Sequence, residues 1–201
     1  MLLTGLLALV ASLSSTQASP TGKYAKHLLV EERSMLPNGW THAQKLDHHV
    51  VLPMRIGLVQ SNLDMLEDYL MDVSSPQSSN WGKHWSADEI AEAFSPSSET
   101  IEEVRAWLAS AGIAGERVRK STSAGWLHFN ATVAEAEELL HTEYHVYEHE
   151  ESGTPHIACK SYKVPEAVRH HIGKSSQHSI TSTGQKFGST PGRVPWGFCS
   201  D

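Results

Sequence analysis

Only two of the 201 residues are cysteine, Cys159 and Cys199. That permits at most one disulfide and no disulfide framework, so the fold must rest on an apolar core. Basic clusters are as scarce: none is longer than Arg117-Val-Arg-Lys120, and the formal net charge is −7. Phosphate backbones need a basic surface, so nucleic acid is excluded as a partner. Long hydrophobic runs are missing everywhere except at the start. There, Leu2 to Leu13 is apolar apart from Thr4, Gly5 and Ser12, and is followed by the small-residue site Thr16-Gln17-Ala18. The run is too short to span a bilayer and matches the core of an export signal. It predicts a signal peptide over 1–18 cleaved after Ala18, and a chain that is secreted, extracellular or delivered to an acidic vacuolar compartment, with no membrane partner once the signal is removed. The rest of the chain is long enough for one domain with tails.

No catalytic nucleophile motif is present, and the doublets His48-His49 and His170-His171 lack an H-E-x-x-H frame. His141, His145 and His149 recur at four-residue spacing, and three imidazoles can hold zinc. The segment crosses an expected helix-to-strand junction, however, so a solvated histidine face is the better reading, with a His-rich metal-binding protein as a distant alternative. Glu102, Glu103, Glu135, Glu137 and Glu138 fall in the first turns of expected helices, where capping and the helix dipole account for them better than acid–base catalysis. The chain reads as non-catalytic and no cofactor is expected. Asn130-Ala-Thr132 is an N-glycosylation sequon.

What the chain does have is histidine, thirteen of them. Because imidazole titrates near 6.5 and Glu near 4.3, full imidazole protonation turns the formal charge from −7 to about +6 while most carboxylates stay ionised. The electrostatics of this surface therefore change sharply on acidification.

The periodicity predicts an α+β fold. Residues 19–44 are polar and poorly periodic, a lead-in punctuated by Pro20, Gly22, Pro37 and Gly39. Val50, Leu52, Met54, Ile56 and Leu58 alternate as a half-buried strand, and Pro53 argues for an edge position or a start just after it. Leu63, Leu66, Leu70 and Val73 give an amphipathic helix over 62–73 with that stripe inward. Ser86 with Glu89 forms a capping box for a short helix ending at Phe94 before Pro96. Ser97 or Ser98 opens the next helix, which buries Ile101, Val104, Leu108 and Ala111 and stops at Gly112. Residues 117–122 and 126–130 form a hairpin around Ser123-Ala-Gly125. Thr132 with Glu135 caps a helix burying Val133, Ala136 and Leu140, and a strand runs from Tyr144 to His149. Trp107 and Trp126 are expected in the core. Two β-α-β units with a central hairpin give the ferredoxin-like plan, an antiparallel sheet with helices on one face and disordered termini.

Several segments, in this order and spacing, resemble the activation domain of the sedolisins, the serine-carboxyl peptidases that include the tripeptidyl-peptidases. They are Val73-Ser-Ser-Pro-Gln-Ser-Ser-Asn-Trp-Gly82, Trp85-Ser-Ala-Asp-Glu-Ile-Ala-Glu-Ala-Phe94, Val104-Arg-Ala-Trp-Leu108, Gly125-Trp-Leu-His-Phe129, Ala134 to Leu140, Tyr144 to Glu148 and Ile157 to Pro165. The likeness covers about residues 45–172, which is the expected domain. It implies the ferredoxin-like fold and a propeptide that caps the active site of a serine-carboxyl peptidase, assists its folding and keeps it inactive until acid. The partner would be that peptidase domain, in cis or in trans; a free-standing secreted inhibitor acting in trans is the alternative. Trp81, Trp85, Ile157, Cys159, Tyr162 and Pro165 are the implied interface, and His84, His128, His145 and His149 the candidate pH sensors, with an ordinary surface histidine the better reading for any one of these four.

Two departures from the family stand out. The family's nucleophile motif resembles Gly-Thr-Ser-Ala-Ser, and Gly188-Ser-Thr190 is not it. After Val168 to Ile172 an Asp-containing continuation is expected, whereas Gly173-Lys174 opens a Ser/Thr/Gly-rich tail. Since Gly-Lys is encodable by a donor-like GGTAAG, residues 173–201 are expected to be read-through of a retained intron or a shifted frame.

Overall fold

The computed structural model describes residues 22–121, 125–173 and 180–182. The cleavage site after Ala18, Cys199 and all of the tail beyond Gly173 except residues 180–182 fall outside them. The fold is α+β with all strand pairs antiparallel. Its strands are β1 (His27–Glu32), β2 (Trp40–Lys45), β3 (Val51–Gly57), β4 (Arg119–Lys120), β5 (Trp126–Thr132), β6 (Tyr144–His149), β7 (Pro155–Cys159), β8 (Ser161–Pro165) and β9 (Ile180–Ser182). The helices are α1 (Leu66–Ser74), α2 (Ala87–Ala93), α3 (Ser98–Ser110), α4 (Val133–Leu140) and α5 (Glu166–Arg169).

The main sheet runs β4-β5-β3-β9. This is the ferredoxin-like order, but its last edge strand is not the expected one. Tyr144–His149 is a strand as predicted, yet it sits at the centre of a separate sheet, β2-β6-β7, while Ile180–Ser182 from the tail pairs with Met54–Ile56. The lead-in also contributes more than expected: β2 edges that second sheet, and β1 pairs with β8 as a third. Pro53 lies inside β3 opposite Asn130, beyond the short pairing with β9, where a missing N–H disrupts no ladder.

One apolar layer holds the body together. Leu52, Met54 and Ile56 on β3 and Leu127, Phe129 and Ala131 on β5 project to one face, as period-two alternation demands. Val104, Trp107 and Leu108 from α3 and Val133, Ala136, Leu139 and Leu140 from α4 meet them in a single cluster. Trp126 has the opposite parity and leaves the core: it is half-buried on the open face, beneath the Arg55 guanidinium 5.4 Å from its ring.

The helix starts follow local chemistry. Ser86 and Thr132 each accept from the third helical N–H while Glu89 and Glu135 reach back to the cap N–H, two complete capping boxes. Ser97 Oγ accepts from Thr100 N, and Gly112, at φ +83°, follows the end of α3. Replacing Thr132 by Ala is expected to cost about 1 kcal/mol in urea denaturation, the usual worth of such a cap.

Glu135 also joins the body to the turn before β4. Arg117 donates to both its oxygens at 2.8 and 2.9 Å and to the Asn130 carbonyl. Mainly through Arg117, and secondarily through Thr132 N–H, the Glu135 carboxyl is held down at about 2. A carboxylate depressed in the fold stabilises it fully above its unfolded value near 4.5 and loses that contribution as pH falls toward about 2. Acid titration followed by circular dichroism should therefore show the body intact at pH 5, with Glu135→Gln removing part of the loss seen below about pH 4.5.

Candidate interaction surface

Residues 59–97 leave the main sheet after β3 and return at α3, carrying α1 and α2 on the way. The three-and-four spacing of Leu63, Leu66 and Leu70 makes the stripe the sequence predicted, but the stripe is not buried. Leu63 is 52% exposed, Leu66 52% and Leu70 60%, while Val73 is half-buried. Trp81 at 61% and Ile90 at 48% are further exposed apolar residues of the same segment, and Asp64, Glu67 and Asp68 occupy its first turns. Monomeric proteins rarely expose apolar groups in such a run unless something covers them.

The segment is nonetheless well held. Tyr69, Trp85 and Phe94 form an aromatic cluster with ring separations of 4.9 to 6.5 Å, and Asn62 Nδ2 donates to the Ala93 carbonyl at 2.7 Å. Asp72 organises the following loop by accepting from Ser78 Oγ at 2.6 Å and Asn80 Nδ2 at 2.8 Å. Those two bonds lower its carboxyl below the usual carboxylate range. Gly82 N–H closes the loop onto the Val73 carbonyl at 2.9 Å, and Gly82 itself sits at φ +77°. The Val73-to-Gly82 motif is thus a compact loop that presents Trp81 outward, whereas Trp85 is half-buried within the aromatic cluster.

The other implied interface residues lie elsewhere. Cys159 and Tyr162 are buried in the main core and Pro165 is fully buried; Ile157 packs against that core from β7. In this fold their side chains face inward, so any contact from this segment would use its backbone or its exposed neighbours. Among the candidate pH sensors, His84 is exposed, and His128 is exposed on β5, opposite Arg55 and Arg119. His149 meets Trp40 edge-on at 5.2 Å and its Nδ1 lies 3.2 Å from Ser152 Oγ. His145 Nδ1 lies 2.7 Å from His42 Nε2, a partner in the lead-in that the sequence had not singled out. His141 ends α4 at φ +47° and stacks on His27, so His141, His145 and His149 do not converge. Among the described residues no three His, Cys, Asp or Glu side chains are placed to hold a metal, and no helix is long and apolar enough to cross a membrane.

Glu103 and Glu137 are tied into the structure. Glu103 accepts from Lys23 at 2.6 Å and Tyr24 at 3.0 Å, and Glu137 accepts from Tyr144 N–H at 2.7 Å while facing His48 at 3.3 Å.

Over residues 38–174 the chain matches the family model described as pro-kumamolisin, activation domain. The chain belongs to that family. Within it, this activation domain is 48% identical over 163 residues to tripeptidyl-peptidase sed1 of Aspergillus fumigatus, covering 81% of the chain and 25% of that protein. It is 42% identical over 151 residues to aorsin of Aspergillus oryzae, covering 74% and 23%, and 38% identical over 143 residues to tripeptidyl-peptidase SED1 of Arthroderma otae, covering 71% and 21%. The activation domain thus spans about a quarter of the length of these curated relatives. The leucine stripe and the loop presenting Trp81 lie within the matched range.

Proposed function

We propose that this chain is a non-catalytic propeptide that assists the folding of a tripeptidyl-peptidase-like serine peptidase and inhibits it until acidification, in a secreted or acidic vacuolar setting. The observation that carries the reading is an activation domain with a complete core of its own that still leaves Leu63, Leu66 and Leu70 in solvent. A domain that folds independently gains nothing from that exposure unless a partner covers it. The matched stretch is only about a quarter of the length of these relatives, and the additional chain in them is the natural partner for this surface. Aromatic Trp81 is the anchor type that dominates interface energetics, and the acidic first turns along the leucine stripe favour a basic rim on the peptidase.

The folding role is tested by diluting a denatured sedolisin-type peptidase body with and without the chain. Recovery of activity after acid treatment should depend on the chain; equal recovery without it overturns the reading. Asn130, exposed at the end of β5, is the proposed glycosylation site, and a mass shift on endoglycosidase treatment that disappears in Asn130→Gln checks it.

A further inference from the structure

The first described residues, 22–45, form an arm that lies across the rest of the domain. β1 pairs with β8, β2 pairs with β6, and Lys23 and Tyr24 bind Glu103 on α3. At each of its two strands an imidazole of the arm meets an imidazole of the body. His42 Nε2 on β2 lies 2.7 Å from His145 Nδ1 on β6. The ring of His27 on β1 stacks on His141 at the end of α4, with centroids 3.6 Å apart and planes 20° from parallel. We propose that the arm is a pH latch, its strands staying on the body while each imidazole pair carries at most one proton and peeling away when the second proton enters. The latch would supply the acid sensitivity of the proposed propeptide, but it is a property of this chain alone and does not depend on the docking surface.

The chemistry of the His42–His145 pair sets the order of events. Two neutral rings share one N–H···N bond, and one added proton makes that bond charge-assisted and stronger. A second proton leaves both facing nitrogens as donors, with no acceptor and two like charges in contact. Glu143 lies 3.7 Å from His145 Nε2 and is itself held by Lys45 at 3.1 Å, so its charge is shared with Lys45. Tyr147 meets both rings edge-on, at 5.7 and 6.3 Å, and from β7 Ala158 lies opposite His145 and His156 opposite Tyr147.

The stacked pair acts in the same direction. Burial first, then His27 and Lys163, holds the His141 imidazole below its usual range against the opposing pull of Glu138. A neutral-preferring imidazole stabilises the docked arm fully above about 6.5 and loses that stabilisation as pH falls toward its lowered value. The ion pair of Lys26 with Glu166 at 2.8 Å neighbours this site and is exposed to screening. At the start of β2, Trp40 packs edge-on against His149 and His156, and burial, then Arg33, keeps His156 neutral-preferring too. At the arm's start His171 is lowered by burial, His170 and Lys23, against Glu103 and Glu99. His48 facing Glu137 pulls the other way, because its attraction strengthens on protonation. With buried Leu46, that contact fixes the hinge at the end of the arm. The Glu135–Arg117 clamp in the body stays charged through this range, so the arm opens before the body does.

The test is amide exchange of the 201-residue chain, read as protection factors at about pH 7.5 and pH 5, with a His27→Phe/His42→Gln chain beside it. Phe can stack on His141 and Gln can bond His145, but neither pair can then take two protons. The expected result is a loss of roughly tenfold or more in protection over 27–32 and 40–45 on acidification, unchanged protection over 52–57 and 127–131, and a much smaller arm loss in the variant. An arm whose protection is unchanged at pH 5, a loss shared equally by the body, or an equal loss in the variant overturns the proposal. A measurement on the unaltered chain covers the case of a poorly folding variant. In NMR spectra of that chain the cross-strand contacts between β2 and β6 should be present at about pH 7.5 and lost at about pH 5, and contacts that persist at pH 5 overturn it. No peptidase is present, so failure here leaves the docking surface standing, and failure of docking leaves the latch standing.

Discussion

A chain carrying Leu66→Glu and Leu70→Glu should fold as the parent does and lose its hold on a sedolisin-type peptidase by roughly a hundredfold in inhibition constant. Both positions are more than half exposed and sit on α1 with no buried residue in that helix. Surface substitutions of this kind usually change stability by about 0.5 kcal/mol or less, so the melting curve should barely move. In a docked complex the same two side chains would place new carboxylates against an apolar surface beside Glu67 and Asp68, costing desolvation with no partner. Unchanged inhibition with an unchanged melting curve would show that the stripe is not the contact. Trp81→Ala should act in the same direction with a smaller loss.

The opposite pattern is expected in the core. Leu108 on α3 is fully buried, at the centre of the cluster that α3 shares with β3 and β5. Leu108→Ala should destabilise the domain by about 2–5 kcal/mol, made up of lost transfer energy and an unfilled cavity. Against a total of about 5–15 kcal/mol for a domain, that is enough to leave a marginal one partly unfolded at 37 °C. Urea denaturation measures it directly, and a loss below about 1 kcal/mol would contradict the packing described. Together the two variants separate two uses of one pattern: α1 leaves its apolar residues exposed, while α3 commits its own to the body.

The contrast between α1 and α3 also marks where the sequence could be read and where it could not. Both show the same apolar spacing, and periodicity reports only that a face is apolar, not what covers it. Caps were legible because a capping box is a contact over three residues, as at Ser86–Glu89 and Thr132–Glu135. The parity of β3 was legible because alternation is unbroken from Leu52 to Leu58. β1 and β2 were not, and the reason is physical: each contains a register shift, between Leu29 and Glu31 and between His42 and Gln44. A bulge breaks the period-two signal that identifies a strand.

Tyr144–His149 was readable as a strand, but its sheet was not, because its partner β2 lies about a hundred residues earlier. The same distance hid His42 and His27. His145 was a candidate on its own, but only the folded chain supplies the ring that makes its protonation consequential. Trp126 was misplaced for a simpler reason: in a seven-residue strand with buried Leu127, Phe129 and Ala131, its parity puts it outside despite its size.

If this activation domain is a lid for a separate proteolytic body, with a grip that acid removes, then titrating the pair in solution will show it. The chain is mixed with a mature sedolisin-type peptidase and the inhibition constant is followed from about pH 7 to pH 4. Inhibition should be tight at neutral pH and weaken progressively below about pH 6 as the imidazoles take up protons. No inhibition at neutral pH, or inhibition equally tight at both ends of the range, would mean that the domain is not such a lid.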